Sequence, residues 1–213
     1  MKIKVCCISD AAEARIAAQK GADWLGLVGP MPSGPGVLSL VRAKEIAASC
    51  NFSTRPILLT SAERAEVILA EADFVGMDAV QVVRHIPSDE AALLKASDLY
   101  YVQVIHVGGP EALALLNVYA PHCSALLLDS GRPSRDAFGG TGQTHDWSIS
   151  AEFVRRADKP VFLAGGLTPT NVSRAIREVR PYGVDICSGV RRHRKLDPAL
   201  LSAFMEEARK ASA

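Results

Sequence analysis

The sequence predicts an α/β fold, a (β/α)8 TIM barrel that forms a single domain over residues 1–213. Short aliphatic and β-branched runs alternate with stretches of helical apolar spacing, which is typical of βαβ units and a parallel sheet. This unit of roughly 25 residues occurs eight times and ends in a helix, which a closed barrel accommodates without an exposed edge strand. With 48% hydrophobic residues and no Pro/Gly/Ser-rich linker, the chain can bury one continuous core.

The predicted elements follow one another in regular alternation. Strands are expected at residues 3–8, 24–28, 56–60, 79–83, 100–106, 125–128, 160–164 and 184–187. Helices are expected at residues 10–20, 40–48, 62–71, 89–96, 110–119, 148–157, 169–179 and 198–210. Two of these helices have a capping side chain just before a proline at the first helical position, Thr168-Pro169 and Asp197-Pro198.

An open, doubly wound sheet is the alternative architecture, because it shows the same alternation. Such a sheet, when it binds a dinucleotide, carries GxGxxG directly after its first strand. Here that position reads CCISD at residues 6–10. The fingerprint is absent, and a closed barrel is favoured.

Charge and cysteine content exclude several classes of protein. The net charge of +1 comes from 24 basic and 23 acidic residues, so we expect neither a nucleic-acid nor a membrane partner. No apolar run reaches the ~18–20 residues of a membrane span, and the apolar run in the first ten residues is too short for the hydrophobic region of a signal sequence. The five cysteines form no CxxC pair at metal-site spacing, which predicts reduced thiols and no metal. A soluble, cytoplasmic protein is the expectation.

Glycines follow the seventh and eighth predicted strands, where barrels commonly bind phosphate. Gly165 and Gly166 come directly after strand seven, and Ser188 and Gly189 come after strand eight. Glycine lets backbone N–H groups approach an anion closely, and a short helix beginning near Ser188 would aim its N–H groups at the same phosphate. The alternative is that these glycines serve only tight turns.

Two further strand ends carry candidate proton-transfer groups. Asp129 follows the sixth strand, where partial desolvation raises a carboxyl pKa; the alternative is an aspartate that caps the next loop. The GGTG segment after it lies in a connection longer than a βα loop requires, which suggests a substrate cover. Lys4 and Cys6 alternate on the first strand and share a face, so Lys4 could lower the pKa of a general base at Cys6. Otherwise Cys6 is a buried, inert cysteine beside an exposed or paired lysine.

Five segments resemble, in order, the motifs of the phosphoribosylanthranilate isomerase family. That family has the patterns K-[IV]-C-G-[IL]-T, L-L-[LV]-D-[ST], G-G-[TS]-G-x-x-F-D-W, L-A-G-G-L-x-P-x-N-V and V-D-x-[SC]-S-G-V-E. The matching segments are KVCCIS (4–9), LLLDS (126–130), GGTGQTHDW (139–147), LAGGLTPTNV (163–172) and VDICSGV (184–190).

The resemblance implies an intramolecular aldose–ketose isomerase of tryptophan biosynthesis. Its reaction is an Amadori rearrangement of a phosphorylated sugar and needs no cofactor. The resemblance makes Cys6 the base that removes the C2 proton and Asp129 the acid that protonates the ring oxygen. It also implies either a monomer or a homodimer. Substrate contacts are expected at Lys4, Gln81, Gly140, Thr141, Gly142, Asp146, Gly165, Gly166, Asp185, Ser188 and Gly189.

The departures from the family pattern cluster on the side that would hold the aromatic acid. Gly36 or a neighbour stands where the family has an arginine that pairs with the anthranilate carboxylate, and Cys7 replaces a glycine. A bidentate arginine–carboxylate contact is not replaced by glycine. A changed aglycone is therefore one hypothesis, and a catalytically silent sugar-phosphate-binding barrel is another. A replacement cation could come from Arg84, His106 or His145.

Overall fold

A computed structural model of the chain describes residues 1–32, 34–50, 54–130 and 144–212. The predicted closed barrel is confirmed: eight parallel strands pair in the order β1 to β8, and β8 pairs back onto β1. The strands are β1 (Lys2–Val5), β2 (Trp24–Val28), β3 (Arg55–Thr60), β4 (Ala79–Val82), β5 (Tyr100–Val107), β6 (Ala125–Ser130), β7 (Val161–Leu163) and β8 (Gly183–Ile186).

Helices cover the outside of the barrel. They are α1 (Ala11–Gln19), α2 (Leu40–Ser49), α3 (Ala65–Val75), α4 (Ser88–Lys95), α5 (Ala114–Tyr119), α6 (Trp147–Arg156), α7 (Val172–Val179) and α8 (Pro198–Ser212). Single 3-10 turns lie at Pro110–Leu113 and Ser188–Val190, and a small hairpin joins β9 (Arg191–Arg192) to β10 (Lys195–Leu196). Within the described part of the chain, no helix combines the length and apolar character needed to cross a bilayer.

Several predicted boundaries differ from the structure, and three of these differences have a local reason. β1 ends at Val5, before Cys7, whose φ of 61° is left-handed and ends the extended strand. β6 extends to Ser130, because Asp129 and Ser130 still pair with the last residues of β5. The prediction of a helix start after Thr168 was wrong. The Asn171 side chain accepts from the Thr168 N–H and donates to the Gly166 carbonyl, and this folds the segment into a turn ahead of α7.

Two layers of apolar side chains hold the barrel. The larger fills the space between strands and helices, and includes Leu25, Leu58 and Phe204, all fully buried. A smaller cluster fills the barrel interior. At the amino-terminal end Trp24 packs against Phe162 and Tyr100, with ring centroids 6.5 and 5.2 Å away. This end is therefore packed with side chains, which leaves the carboxyl ends of the strands to form a site.

Candidate active site

A cavity opens at the carboxyl ends of the strands. Side chains from all eight strands or the residues directly after them reach it, since alternate residues of each strand point into the barrel. The polar groups that line it include Gln81, His106, Asp129, Asp185 and Ser188. The cavity lies where the sequence placed the site.

Asp129 presents its carboxyl group to this cavity from the end of β6. Burial, followed by the nearby charge of Asp185, raises the pKa of the Asp129 carboxyl to about 7. The group is therefore largely protonated just below neutral pH, whereas an exposed aspartate would be ionised. A carboxyl in this state can donate a proton to a bound ligand.

Cys6 faces the same cavity from the residue after β1, and it is 6% exposed. Lys4 shares its face, as predicted: a Cβ at Gly26 would lie 2.9 Å from Cys6 Sγ and 3.1 Å from Lys4 Nζ. A hydrogen bond from Cys7 lowers the pKa of the Cys6 thiol; burial opposes the shift, and the Lys4 charge adds to it. The surroundings of Cys6 thus lower the pKa of its thiol, although the charge of Asp185 also opposes the shift.

Lys4 is held by a buried ion pair between β1 and β8, the two strands that close the barrel. Its Nζ donates to Asp185 Oδ2 at 2.9 Å, and the two side chains are 3% and 8% exposed. Burial disfavours the charged amine, but the carboxylate of Asp185 outweighs it and raises the pKa of Lys4. Asp185 Oδ1 has no hydrogen-bond partner among the described residues. This oxygen is therefore available to a ligand in the cavity that Asp185 lines.

The loops after β7 and β8 form the side of the cavity predicted to hold phosphate. Gly165 and Gly166 line it with φ of 81° and 64°, a conformation that side chains rarely adopt. A Cβ at Gly165 would clash with Ser130, and a Cβ at Gly189 would clash with the Leu167 carbonyl oxygen. The glycines therefore let the ends of β6, β7 and β8 pack closely, and phosphate binding at this side of the cavity stays a prediction.

The remaining predicted substrate residues differ in their location. Gln81 lines the cavity, and its Oε1 has no partner in the described part of the chain. Lys4 and Gly189 do not line the cavity. Asp146 is exposed and accepts from the Ser148 N–H at the start of α6, where it caps the helix. Gly140, Thr141 and Gly142 lie outside the described residues.

The opposite side of the cavity is mainly apolar. Its walls include Val28, Met31, Leu59, Val83 and Val104. Two of the three candidate cations lie elsewhere. Arg84 Nη1 pairs with Glu63 at 3.0 Å, and His145 Nε2 lies 2.6 Å from Ser150 Oγ near the start of α6.

His106 is the candidate cation that lines the cavity. Its Nε2 lies 2.9 Å from the carbonyl oxygen of Val83, and since a carbonyl only accepts, Nε2 carries the proton. Burial lowers the pKa of His106, which favours the neutral ring, although the Val83 carbonyl opposes the shift.

A buried ion pair beside the backbone of Cys6 and Cys7 was not predicted from the sequence. Arg191 Nη1 lies 3.0 Å from Glu13 Oε1, and both side chains are 8% exposed. Arg191 Nη2 also donates to the carbonyl oxygens of Cys6 and Cys7, at 3.2 and 2.5 Å. The pair therefore fixes the backbone that carries Cys6. Its one signal in the sequence is that Arg191 stands where the family motif has glutamate.

Comparison with known proteins agrees with this geometry. The family model described as N-(5'phosphoribosyl)anthranilate (PRA) isomerase matches residues 3–207. The chain is 36% identical over 194 residues to N-(5'-phosphoribosyl)anthranilate isomerase 2 of Methanosarcina mazei, covering 90% of this chain and 86% of that protein. It is 36% identical over 211 residues to the Halobacterium salinarum isomerase, covering 97% and 95%.

Solved structures give the same result. Phosphoribosylanthranilate isomerase from Thermotoga maritima superposes with a TM-score of 0.86 at 29% identity, over 99% of each chain. A further isomerase structure, in complex with reduced 1-(o-carboxyphenylamino)-1-deoxyribulose 5-phosphate, has a TM-score of 0.83 at 26% identity, again over 99% of each chain. Motifs, fold, cavity and comparisons agree, and the chain belongs to the N-(5'-phosphoribosyl)anthranilate isomerase family.

Proposed function

We propose that this protein is an N-(5'-phosphoribosyl)anthranilate isomerase, which rearranges an aminoaldose phosphate to an aminoketose phosphate in tryptophan biosynthesis. The observation that carries the proposal is the pair Cys6 and Asp129, which face one cavity from β1 and β6. Their environments shift the two pKa values in opposite directions, that of the Cys6 thiol down and that of the Asp129 carboxyl up, which suits an acid–base pair.

The reaction needs two proton transfers on one bound sugar. Asp129 gives its proton to the furanose ring oxygen; the C1–O bond breaks, and the nitrogen lone pair forms a C=N bond to C1. The Cys6 thiolate then removes the C2 proton, and the electrons of that bond form an enamine that tautomerises to the ketose. Lys4 assists by stabilising the thiolate, and Asp185 holds Lys4 in place.

The phosphate would bind at the loops after β7 and β8. Successive backbone N–H groups in the left-handed turn at Gly165 and Gly166 would supply donors to the phosphate, and so would the 3-10 turn that begins at Ser188. Both segments line the cavity. The sugar would then extend from this side toward Cys6 and Asp129.

We assign the aglycone to the apolar side of the cavity, with His106 as the partner of its carboxylate. Apolar walls suit an aromatic ring, and a carboxylate beside Nδ1 would favour protonation of His106. Binding of phosphoribosylanthranilate would therefore be accompanied by proton uptake. This arrangement would replace the arginine that is missing near Gly36.

The test of the reaction is the loss of phosphoribosylanthranilate fluorescence on addition of enzyme. Cys6→Ser and Asp129→Asn should each lower kcat by roughly 10²–10⁴-fold while the far-ultraviolet circular dichroism stays native. Complementation of a tryptophan auxotroph would establish the physiological role. Phosphate binding without turnover by the native protein would instead favour the silent sugar-phosphate binder, and turnover of another phosphoribosylamine alone would favour a paralogue.

The test of the aglycone assignment compares two substrates. His106→Ala should raise KM for phosphoribosylanthranilate but not for phosphoribosylaniline, which lacks the carboxylate. Arg84→Ala and His145→Ala serve as matched controls and should leave this ratio unchanged. An equal effect of His106→Ala on both substrates would exclude a carboxylate contact. The cytoplasmic location and the monomeric or homodimeric state stay predictions.

A further inference from the structure

Three thiols meet where β1 and β8 end side by side. Val5 and Ile186 are register partners, so the residues after them leave neighbouring strands together. Cys6 and Cys7 follow β1, and Cys187 follows β8. Cys7 Sγ and Cys187 Sγ are 2.6 Å apart. All three thiols are free.

The separation of these two sulfurs is close to that of a covalent bond. A disulfide needs about 2.05 Å, so the atoms would have to approach by about 0.5 Å. Cys187 lies at the end of a different strand, and its side chain is half-buried and lines the cavity. A small reagent that enters the cavity can therefore reach this sulfur.

The backbone around Cys7 keeps its side chain directed at Cys187. Cys7 has φ of 61°, and Arg191 donates to its carbonyl oxygen at 2.5 Å. Gly36 lies against the other side, where an added Cβ would be 2.9 Å from Cys7 Cβ. Cys7 is consequently 5% exposed and has little room to turn away from its partner.

We propose that Cys7 and Cys187 form a reversible intramolecular disulfide, a redox modification site beside the Cys6 thiol. The oxidant is a low-molecular-weight disulfide. The Cys187 thiolate attacks one of its sulfurs and forms a mixed disulfide, releasing one thiol. Cys7 loses its proton and attacks the Cys187 sulfur, which releases the second thiol. The protein loses two hydrogens, and one small disulfide becomes two thiols.

Oxidation would change the chemistry of Cys6, a consequence that rests on the proposed function. The hydrogen bond from Cys7 is the largest contribution that lowers the pKa of the Cys6 thiol. A Cys7 sulfur bonded to Cys187 has no hydrogen to donate, so the pKa of Cys6 rises and less thiolate is present at a given pH. The bond would also tie β1 to the turn that begins at Ser188. We expect the oxidised protein to be the less active form.

The experiment equilibrates the full-length protein in glutathione buffers of increasing oxidised-to-reduced ratio and then labels free thiols with N-ethylmaleimide in denaturant, so that buried thiols also react. Intact mass then counts the labels. The reduced protein should carry five, one for each cysteine, and the oxidised protein three. Digestion should give one linked pair of peptides containing Cys7 and Cys187, and dithiothreitol should restore all five labels. Cys50 and Cys123 lie outside this cluster and act as internal controls.

Cysteine variants identify the two residues that form the disulfide. Cys187→Ser and Cys7→Gly should each abolish the loss of two thiols, and either suffices if the other does not fold. Cys6→Ser should keep it. Five labels at every buffer ratio would overturn the proposal, as would a linked peptide in which Cys6 replaces Cys7. Isomerase activity is measured separately in the same samples. Inactivity of the reduced protein would count against the proposed function alone, since the mass measurement judges the disulfide independently.

Discussion

Replacement of Asp129 by asparagine should stabilise the protein increasingly as the pH rises. The buried carboxyl has a pKa of about 7 in the folded chain and 3.8 as the reference value. The difference of about 3 units corresponds to about 4 kcal/mol at 1.36 kcal/mol per unit. This is the free energy that the fold loses by holding an ionised carboxylate in a partly dry site.

The sign follows from proton linkage. Between pH 3.8 and about 7 the folded state binds more protons at Asp129 than the unfolded state does, so the free energy of unfolding falls as the pH rises. Asparagine does not titrate. The stability difference between Asp129→Asn and the native protein should therefore grow by about 2 to 3 kcal/mol between pH 5 and pH 8, and it should level off above pH 8.

Urea unfolding at intervals between pH 4 and pH 8.5 measures this difference. Asp129→Ala is the matched second variant, because it also removes the titration but packs differently. Both variants should show the same pH dependence relative to the native chain, with a different constant offset. A difference that does not change with pH in either variant would mean that Asp129 is ionised throughout the range, and it would remove the argument for Asp129 as the acid.

Three other substitutions test the framework around the site. By urea unfolding, Gly165→Ala should lower the free energy of unfolding by several kcal/mol more than Gly76→Ala does. Both glycines have φ near 80°, but an added Cβ clashes at Gly165 and meets nothing within 4 Å at Gly76. Arg191→Met should lower the free energy of unfolding by about 3–5 kcal/mol, because it leaves the buried carboxylate of Glu13 without its ion-pair partner. The double variant Arg191→Met, Glu13→Gln should recover most of this loss. Gly36→Arg should lower the free energy of unfolding more in the native chain than in a Cys7→Gly variant, because Cys7→Gly removes the side chain that the new arginine would contact. A double-mutant cycle by urea unfolding measures the difference.

The alternation of apolar patterns was enough to predict the barrel, because each strand needs its own aliphatic run and each helix its own apolar stripe. The prediction placed Asp129 and the two glycine loops correctly for the same reason: they directly follow strands, and parallel strands of a barrel end at one face. The boundary after Thr168 was missed, because the side chain of Asn171 outweighed the preference of proline for a first helical turn.

The pairing of side chains across the closure could not be predicted from the sequence. Lys4 and Asp185 are 181 residues apart, and Glu13 and Arg191 are 178 residues apart. No local pattern relates such residues. Each pair exists because β8 closes onto β1, which brings the ends of the chain together. Closure thus determines the charge around Cys6, whereas the position of Cys6 itself depends only on the first strand.

The two departures from the family pattern at positions 7 and 36 lie against each other in the structure. Gly36 has φ of 73°, and an added Cβ there would lie 2.9 Å from Cys7 Cβ and 3.1 Å from the Cys7 carbonyl oxygen. A side chain at position 36 and a side chain at position 7 therefore compete for the same space. With cysteine in place of the usual glycine, an arginine beside it no longer fits in this backbone conformation. Under the proposed function, the partner of the substrate carboxylate would then come from another strand, and His106 lines the cavity.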